Sequence, residues 1–77
     1  ALHRTEDGRL WAGTNQGLFV RESGVYIWEK VPDLKDLPVY SITEIDGTLY
    51  IGSGGGLFAG SAGSTSFKLI GRKPEIS

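Results

Sequence analysis

One phrase is written twice in this chain. Asp7 to Phe19 reads DGRLWAGTNQGLF, and 39 positions further on Asp46 to Phe58 reads DGTLYIGSGGGLF. At that offset Asp7, Gly8, Leu10, Gly13, Gly17, Leu18, Phe19 and Gly24 fall on identical residues, while Trp11 falls on Tyr50, Thr14 on Ser53 and Trp28 on Phe67. A repeat of this period restricts the fold severely, because each copy is a supersecondary unit that buries its apolar faces only against its neighbours. Helical repeats of similar length need long windows of helix-forming residues. Twelve glycines and three prolines, spread through 77 residues, interrupt every such window.

Short runs rich in β-branched and aromatic residues survive between the interruptions. They are Leu10 to Thr14, Gly17 to Arg21, Val25 to Val31, Val39 to Ile45, Leu49 to Ser53, Leu57 to Ala59 and Ser64 to Ile70, each bounded by a turn signal. Asp7-Gly8 and Asp46-Gly47 are the strongest hairpin signals, because a two-residue primed turn requires positive φ and glycine adopts it without a Cβ clash. Asn15-Gln16-Gly17, Glu22-Ser23-Gly24, Gly54-Gly55-Gly56 and Ser61-Ala62-Gly63 mark the remaining turns. Local antiparallel hairpins therefore connect about four strands per repeat, the period and strand count of a propeller blade. The expected fold is all-β: two four-stranded antiparallel β-propeller blades in one unit over 1–77, blade 1 about 1–38 and blade 2 about 39–77. Pro32 and Pro38 bracket the connection between them, and Pro74 closes the second.

DGRLWAGTNQGLF and DGTLYIGSGGGLF resemble the two-component-regulator propeller repeat, whose blades carry a D-G-x-L-W-x-G-T-x-x-G-L phrase. The first copy matches well, whereas the second departs at Tyr50, at Ser53 and in its glycine cluster. The resemblance implies a propeller of the kind found as extracytoplasmic sensor domains of hybrid histidine kinases, often for carbohydrate signals. A weaker similarity, to the Asp-box hairpin of sialidase-type propellers, fails because no residue separates Asp7 from Gly8.

Composition excludes several functions. The formal net charge is −1, with eight Lys and Arg against nine Asp and Glu, and no run of like charge offers the concentrated field that nucleic acid or an anionic membrane requires. With no cysteine, neither a disulfide framework nor a thiolate zinc site can form. His3, the single histidine, has no second His or Cys with which to share a metal and is expected on an inner strand, facing a channel or the surface. Glu6 and Asp7 precede a hairpin glycine, where an Asp caps its own turn. Asp33 and Asp36 lack the spaced oxygen ligands and fixed glycine of a calcium loop and read as solvated loop charges. Gly52-Ser53-Gly54-Gly55-Gly56-Leu57 has Leu where the dinucleotide fingerprint needs Gly, and no Lys-Ser or Lys-Thr follows it, so it reads as a hairpin. Trp11, Phe19, Trp28, Tyr50, Phe58 and Phe67 could form a stacking platform, but they recur at corresponding repeat positions, as packing residues do. No catalytic, cofactor-binding or metal-ligating residue is expected.

Two blades cover one interface between themselves and leave two apolar faces bare. Several hundred Å² of such surface exceeds what monomers commonly expose. Covering it is worth on the order of 10 kcal/mol at about 25 cal/mol per Å², before association costs. The expected partner is the chain itself, as a homotetramer of eight blades or a homotrimer of six, with no nucleic acid and no membrane. The expected function is that of a non-catalytic structural building block, designed or excised. The alternative is a fragment of a carbohydrate-type sensor. The end, PEIS, and the start, ALHRTEDGRLW, read together with the same shape as the internal PVYSITEIDGTLY, so the blades are expected to share a strand across the termini, Ile76 and Ser77 of one copy leading into Ala1 to Arg4 of the next.

Overall fold

The structure is a computed structural model that describes residues 1–71. Its regular elements are β1 (Leu2–Arg4), β2 (Leu10–Thr14), β3 (Gly17–Arg21), β4 (Glu29–Lys30), a 3₁₀ turn at Pro32–Leu34, β5 (Val39–Ile45), β6 (Thr48–Ser53), β7 (Gly56–Ser61) and β8 (Lys68–Gly71). They form two four-stranded sheets in chain order, β1-β2-β3-β4 (sheet 1) and β5-β6-β7-β8 (sheet 2), with every pairing antiparallel. Each repeat copy is one sheet. The expected all-β class and the four-strand count per repeat are both found. Pro74, Ile76 and Ser77, and with them the C-terminal part of the strand expected across the termini, lie outside the described residues; its other part, Leu2–Arg4, is β1.

The two Asp-Gly turns are not alike. Asp46 and Gly47 bridge the paired Ile45 and Thr48 with φ of 50° and 79°, the two-residue primed turn that the dipeptide announces. In sheet 1 the strand pairing ends at Arg4 and Leu10, which leaves five residues between them against two in sheet 2. Thr5 to Gly8 then turn with Gly8 N donating to Thr5 O at 3.0 Å, and Thr5 N donates to Arg9 O at 2.9 Å. Only Gly8, at φ 91°, is left-handed there, so this hairpin carries a longer loop and not a two-residue primed turn. The longer loop gives Asp7 a partner: Thr5 Oγ1 donates to its carboxylate, and Arg9 N does so at 3.3 Å.

The second hairpin of each sheet conserves its chemistry across the repeat. Thr14 Oγ1 donates to Gly17 O at 2.9 Å and accepts from Gln16 N at 3.1 Å, while Ser53 Oγ donates to Gly56 O at 2.7 Å and accepts from Gly55 N at 3.2 Å. A hydroxyl at this place closes the turn from inside. The Gly52–Leu57 stretch is thereby a hairpin tip, as expected.

The core lies between the sheets. Because side chains alternate across a strand, Trp11 and its register partner Val20 point the same way, and so do Ile51 and Phe58. Trp11, Leu18 and Val20 from sheet 1 are buried with Leu49, Ile51 and Phe58 from sheet 2, and Val31 and Leu34 from the connecting segment close the cluster. Pro32 opens the 3₁₀ turn that carries Leu34 inward. Gly13 permits the close approach of sheet 2, since a Cβ there would lie 2.5 Å from Val39 Cγ1.

Trp28 departs from expectation. Its repeat counterpart Phe67 is 7% exposed and meets the Trp11 ring edge-on at 5.7 Å, but Trp28 is 39% exposed. The physical difference is the side of the sheet each occupies. Phe67 lies on the side of sheet 2 that faces sheet 1, where Gly60 leaves room for its ring, 2.8 Å from a Cβ at that place, whereas Trp28 lies on the outer side of sheet 1, with the corresponding Arg21 over its ring at 5.4 Å.

Candidate functional site

The sheets meet through one face each, so two faces remain. The outer face of sheet 1 is built from alternate residues of its strands, Leu2, Leu10, Ala12, Phe19 and Arg21, with Trp28 beside them. The outer face of sheet 2 carries Ile45, Tyr50, Gly52, Leu57 and Ala59. Leu2, Trp28, Ile45 and Leu57 are exposed, an unusual density of large apolar side chains for so small a molecule. Neither face has a covering element among the described residues.

A second feature lies where the first hairpins of the two sheets come together. There His3, Glu6, Glu44, Asp46 and Gly47 line an open polar cleft of about 500 Å³. His3 sits opposite Trp11 on β1 and therefore points toward sheet 2, where its Nε2 lies 2.8 Å from Glu44 Oε1 on β5. The pair is three-quarters buried or so on each side and ties the two inner strands together. His3 was expected on an inner strand, facing a channel or the surface; from β1 it lines the open cleft and also spans the sheets. The signal for this was parity alone: His3 shares a side with Trp11, and Glu44 shares a side with Leu49.

The carboxylates singled out in the sequence are dispersed. Asp7 serves its own turn, and the hydroxyl of Thr5, followed by the Arg9 N–H, holds its carboxyl below the usual carboxylate range. Glu6 stands on the rim of the cleft. Asp36 is the solvated loop charge expected, paired with exposed Lys30, but Asp33 is more than that: its Oδ2 accepts from Phe67 N at 2.8 Å, which docks sheet 2 onto the connecting turn. A further tie runs from Arg9 Nη1 to Ala62 O at 3.4 Å. Among the described residues no group of three or more His, Cys, Asp or Glu converges in metal-binding geometry.

The aromatics divide in a way the repeat does not. Trp11, Phe58 and Phe67 are in the core, Phe19 and Tyr50 are half-buried on opposite outer faces, and Trp28 is exposed. Arg21 lies over the rings of both Tyr26 and Trp28, at 5.9 and 5.4 Å. No family model, curated protein or solved structure matches the chain. The functional reading accordingly rests on this geometry and on the residues of the repeated phrase.

Proposed function

We propose that this chain is a self-assembling structural β-propeller building block without catalytic activity, its two sheets acting as successive blades and further copies of the chain completing the ring. The resemblance of both phrases to the two-component-regulator propeller repeat supports the blade reading. One observation carries the assembly: each sheet has one face packed against the other and one left uncovered that exposes large apolar side chains, Leu2 and Trp28 on sheet 1 and Ile45 and Leu57 on sheet 2. In a propeller every blade is covered on both faces. Closure by whole copies of a two-blade unit gives an even blade count, and of the even counts in the common range of about four to eight blades we propose the two larger, a tetramer of eight or a trimer of six. Sedimentation at micromolar concentration tests the reading. A mass of three or four chains is expected, and a monomer or dimer mass would refute it.

The polar cleft around His3 and Glu44 favours a second reading, a fragment of a ligand-binding sensor propeller of the carbohydrate type. Carboxylates and an imidazole in an open cleft suit hydroxyl-rich ligands. A glycan thermal-shift screen on the assembled protein separates the two, since a reproducible rise in melting temperature means that the role is not purely structural.

A further inference from the structure

The internal interface joins two different kinds of face, and the repeat reproduces both kinds on the outside. Sheet 1 turns Trp11, Gly13, Leu18 and Val20 toward sheet 2. Thirty-nine positions on, the same places hold Tyr50, Gly52, Leu57 and Ala59, which point away from sheet 1. Sheet 2 turns Leu49, Ile51, Phe58 and Phe67 toward sheet 1. Thirty-nine positions back, the same places hold Leu10, Ala12, Phe19 and Trp28 on the outer side of sheet 1. Each outer face is thus a chemical copy of one half of an interface that already fits.

We infer that a second copy of this chain docks head to tail, the outer face of sheet 2 receiving the outer face of the next copy's sheet 1, with the internal interface as its template. The inference rests on the assembly proposed above and specifies its geometry. Phe67 meets Trp11 edge-on inside the chain, so Trp28 of one copy meets Tyr50 of the other. Gly52 takes the place of Gly13, but the space beside it holds Ser41 Oγ of its own sheet, which a Cβ would meet at 2.4 Å, so the facing strand meets Ser41 there. Leu57 and Trp28, each 39% exposed, stand where Leu18 and Phe67 are buried. The contact between copies is the weaker of the two kinds. Arg9, which reaches Ala62 O within the chain, has Thr48 as its counterpart, and Arg21 stands where Gly60 makes room. Docking therefore requires Arg21 to swing clear of Trp28.

Such an interface is heterologous, because the two surfaces that meet differ. Other occupants of an apolar sheet face would have no reason to match the spacing of these residues. A like-to-like dimer would set Leu57 against Leu57 or Phe19 against Phe19, and neither arrangement occurs within the chain.

Two blocking variants read the geometry directly. Phe19→Glu spoils the outer face of sheet 1 and Leu57→Glu that of sheet 2, and each is measured alone and in equal mixture by sedimentation, with far-UV circular dichroism of each. The expected result is a multimeric unmodified chain, monomers for each variant alone, and a species of two chains in the mixture, where each partner supplies the intact face that the other lacks. Self-association of either variant alone overturns the head-to-tail geometry, and so does a mixture that stays monomeric while the unmodified chain assembles. A monomeric unmodified chain instead sinks the assembly itself, an outcome visible in the first arm alone. Chemical cross-linking provides the second measurement and leaves both faces apolar. The chain has no cysteine, so Trp28→Cys and Tyr50→Cys chains joined by a short bismaleimide should yield dimers only when mixed. Dimers from either alone, or none from the mixture of multimeric variants, overturn the proposed contact.

Discussion

Replacing Trp11 by alanine probes the joint on which the two sheets depend. Its indole is fully buried and its edge contact with Phe67, at 5.7 Å and 82° between ring planes, crosses from sheet 1 to sheet 2. Truncation of a buried Trp costs about 3 to 5 kcal/mol, of which the aromatic pair itself accounts for about 0.5 to 1.5. A chain of this size has a total stability of roughly 4 to 12 kcal/mol, so the loss is a large fraction of it. Trp11→Phe should be far milder. The indole Nε1 is buried without a hydrogen-bond partner among the described residues, and removing an unsatisfied donor returns about 1 to 3 kcal/mol against the lost volume. Trp28, stacked outside on Arg21, should cost under about 1 kcal/mol as alanine when the chain is dispersed. Urea melts followed by circular dichroism, at concentrations low enough to suppress association, rank the three variants. Equal losses for Trp11→Ala and Trp28→Ala, or a loss below about 1 kcal/mol for Trp11→Ala, would refute the assignment of inner and outer faces.

The Asp-Gly turns give a backbone test. Gly47 has open space around its Cβ position and φ of 79°, so Gly47→Val should destabilise through conformation alone and Gly47→Asn distinctly less, whereas Gly8→Val meets Ser23 Cβ at 3.0 Å as well; equal urea midpoints for Val and Asn at position 47 would contradict a left-handed residue. Ser53→Ala should cost about 1 kcal/mol, because it removes the buried donor to Gly56 O and leaves Gly55 N without its acceptor, and a denaturation midpoint unchanged from the parent would show that the hydroxyl does not close the turn. Asp7 has its folded-state pKa lowered by Thr5 and Arg9, so its contribution is present above the usual carboxylate range and fades as pH falls through the folded value. A carbon-detected titration should place the Asp7 carboxyl below that range, and Thr5→Val should move it back up.

The strands that could be read from the sequence were those paired along their whole length with a neighbour, the edge strand Val39–Ile45 among them. Leu10–Thr14, Gly17–Arg21 and Val39–Ile45 occupy the residues their patterns mark. The outer strands were read too long, for a common reason. Val25 to Trp28 has strong β propensity, but β3 ends at Arg21, and Val25 N instead closes a turn onto Glu22 O at 3.1 Å. Only Glu29–Lys30 finds a partner. Likewise Ser64 to Phe67 crosses over Gly60 before pairing begins at Lys68. Propensity describes the residue, whereas pairing also needs an available edge. The repeat located both aromatic rows, but alternation alone cannot say which row faces inward in which sheet. That depends on the connection between them, where Pro32 and the buried Leu34 turn the chain so that Trp11 faces in and Tyr50 faces out. The cleft pair His3 and Glu44 was hidden for the same reason, since its members lie 41 positions apart on strands whose relative placement the connection decides.

Translational repetition has a consequence that a two-fold dimer cannot escape. When successive sheets are related by a shift along the sequence, each presents one face of the Trp11 type and one of the Leu49 type, and stacking always joins unlike faces. Two sheets satisfy one such junction and expose one face of each type, however well the junction is packed. Closing with two-fold symmetry would pair like with like and set Gly52 and Leu57 against themselves. In the assembly we propose, what covers the outer faces supplies a Leu49-type surface to Tyr50 and a Trp11-type surface to Phe19. Another copy of the repeat supplies both at once. Whether it belongs to the same chain or a neighbouring one changes the effective concentration of the partner but not the chemistry of the contact.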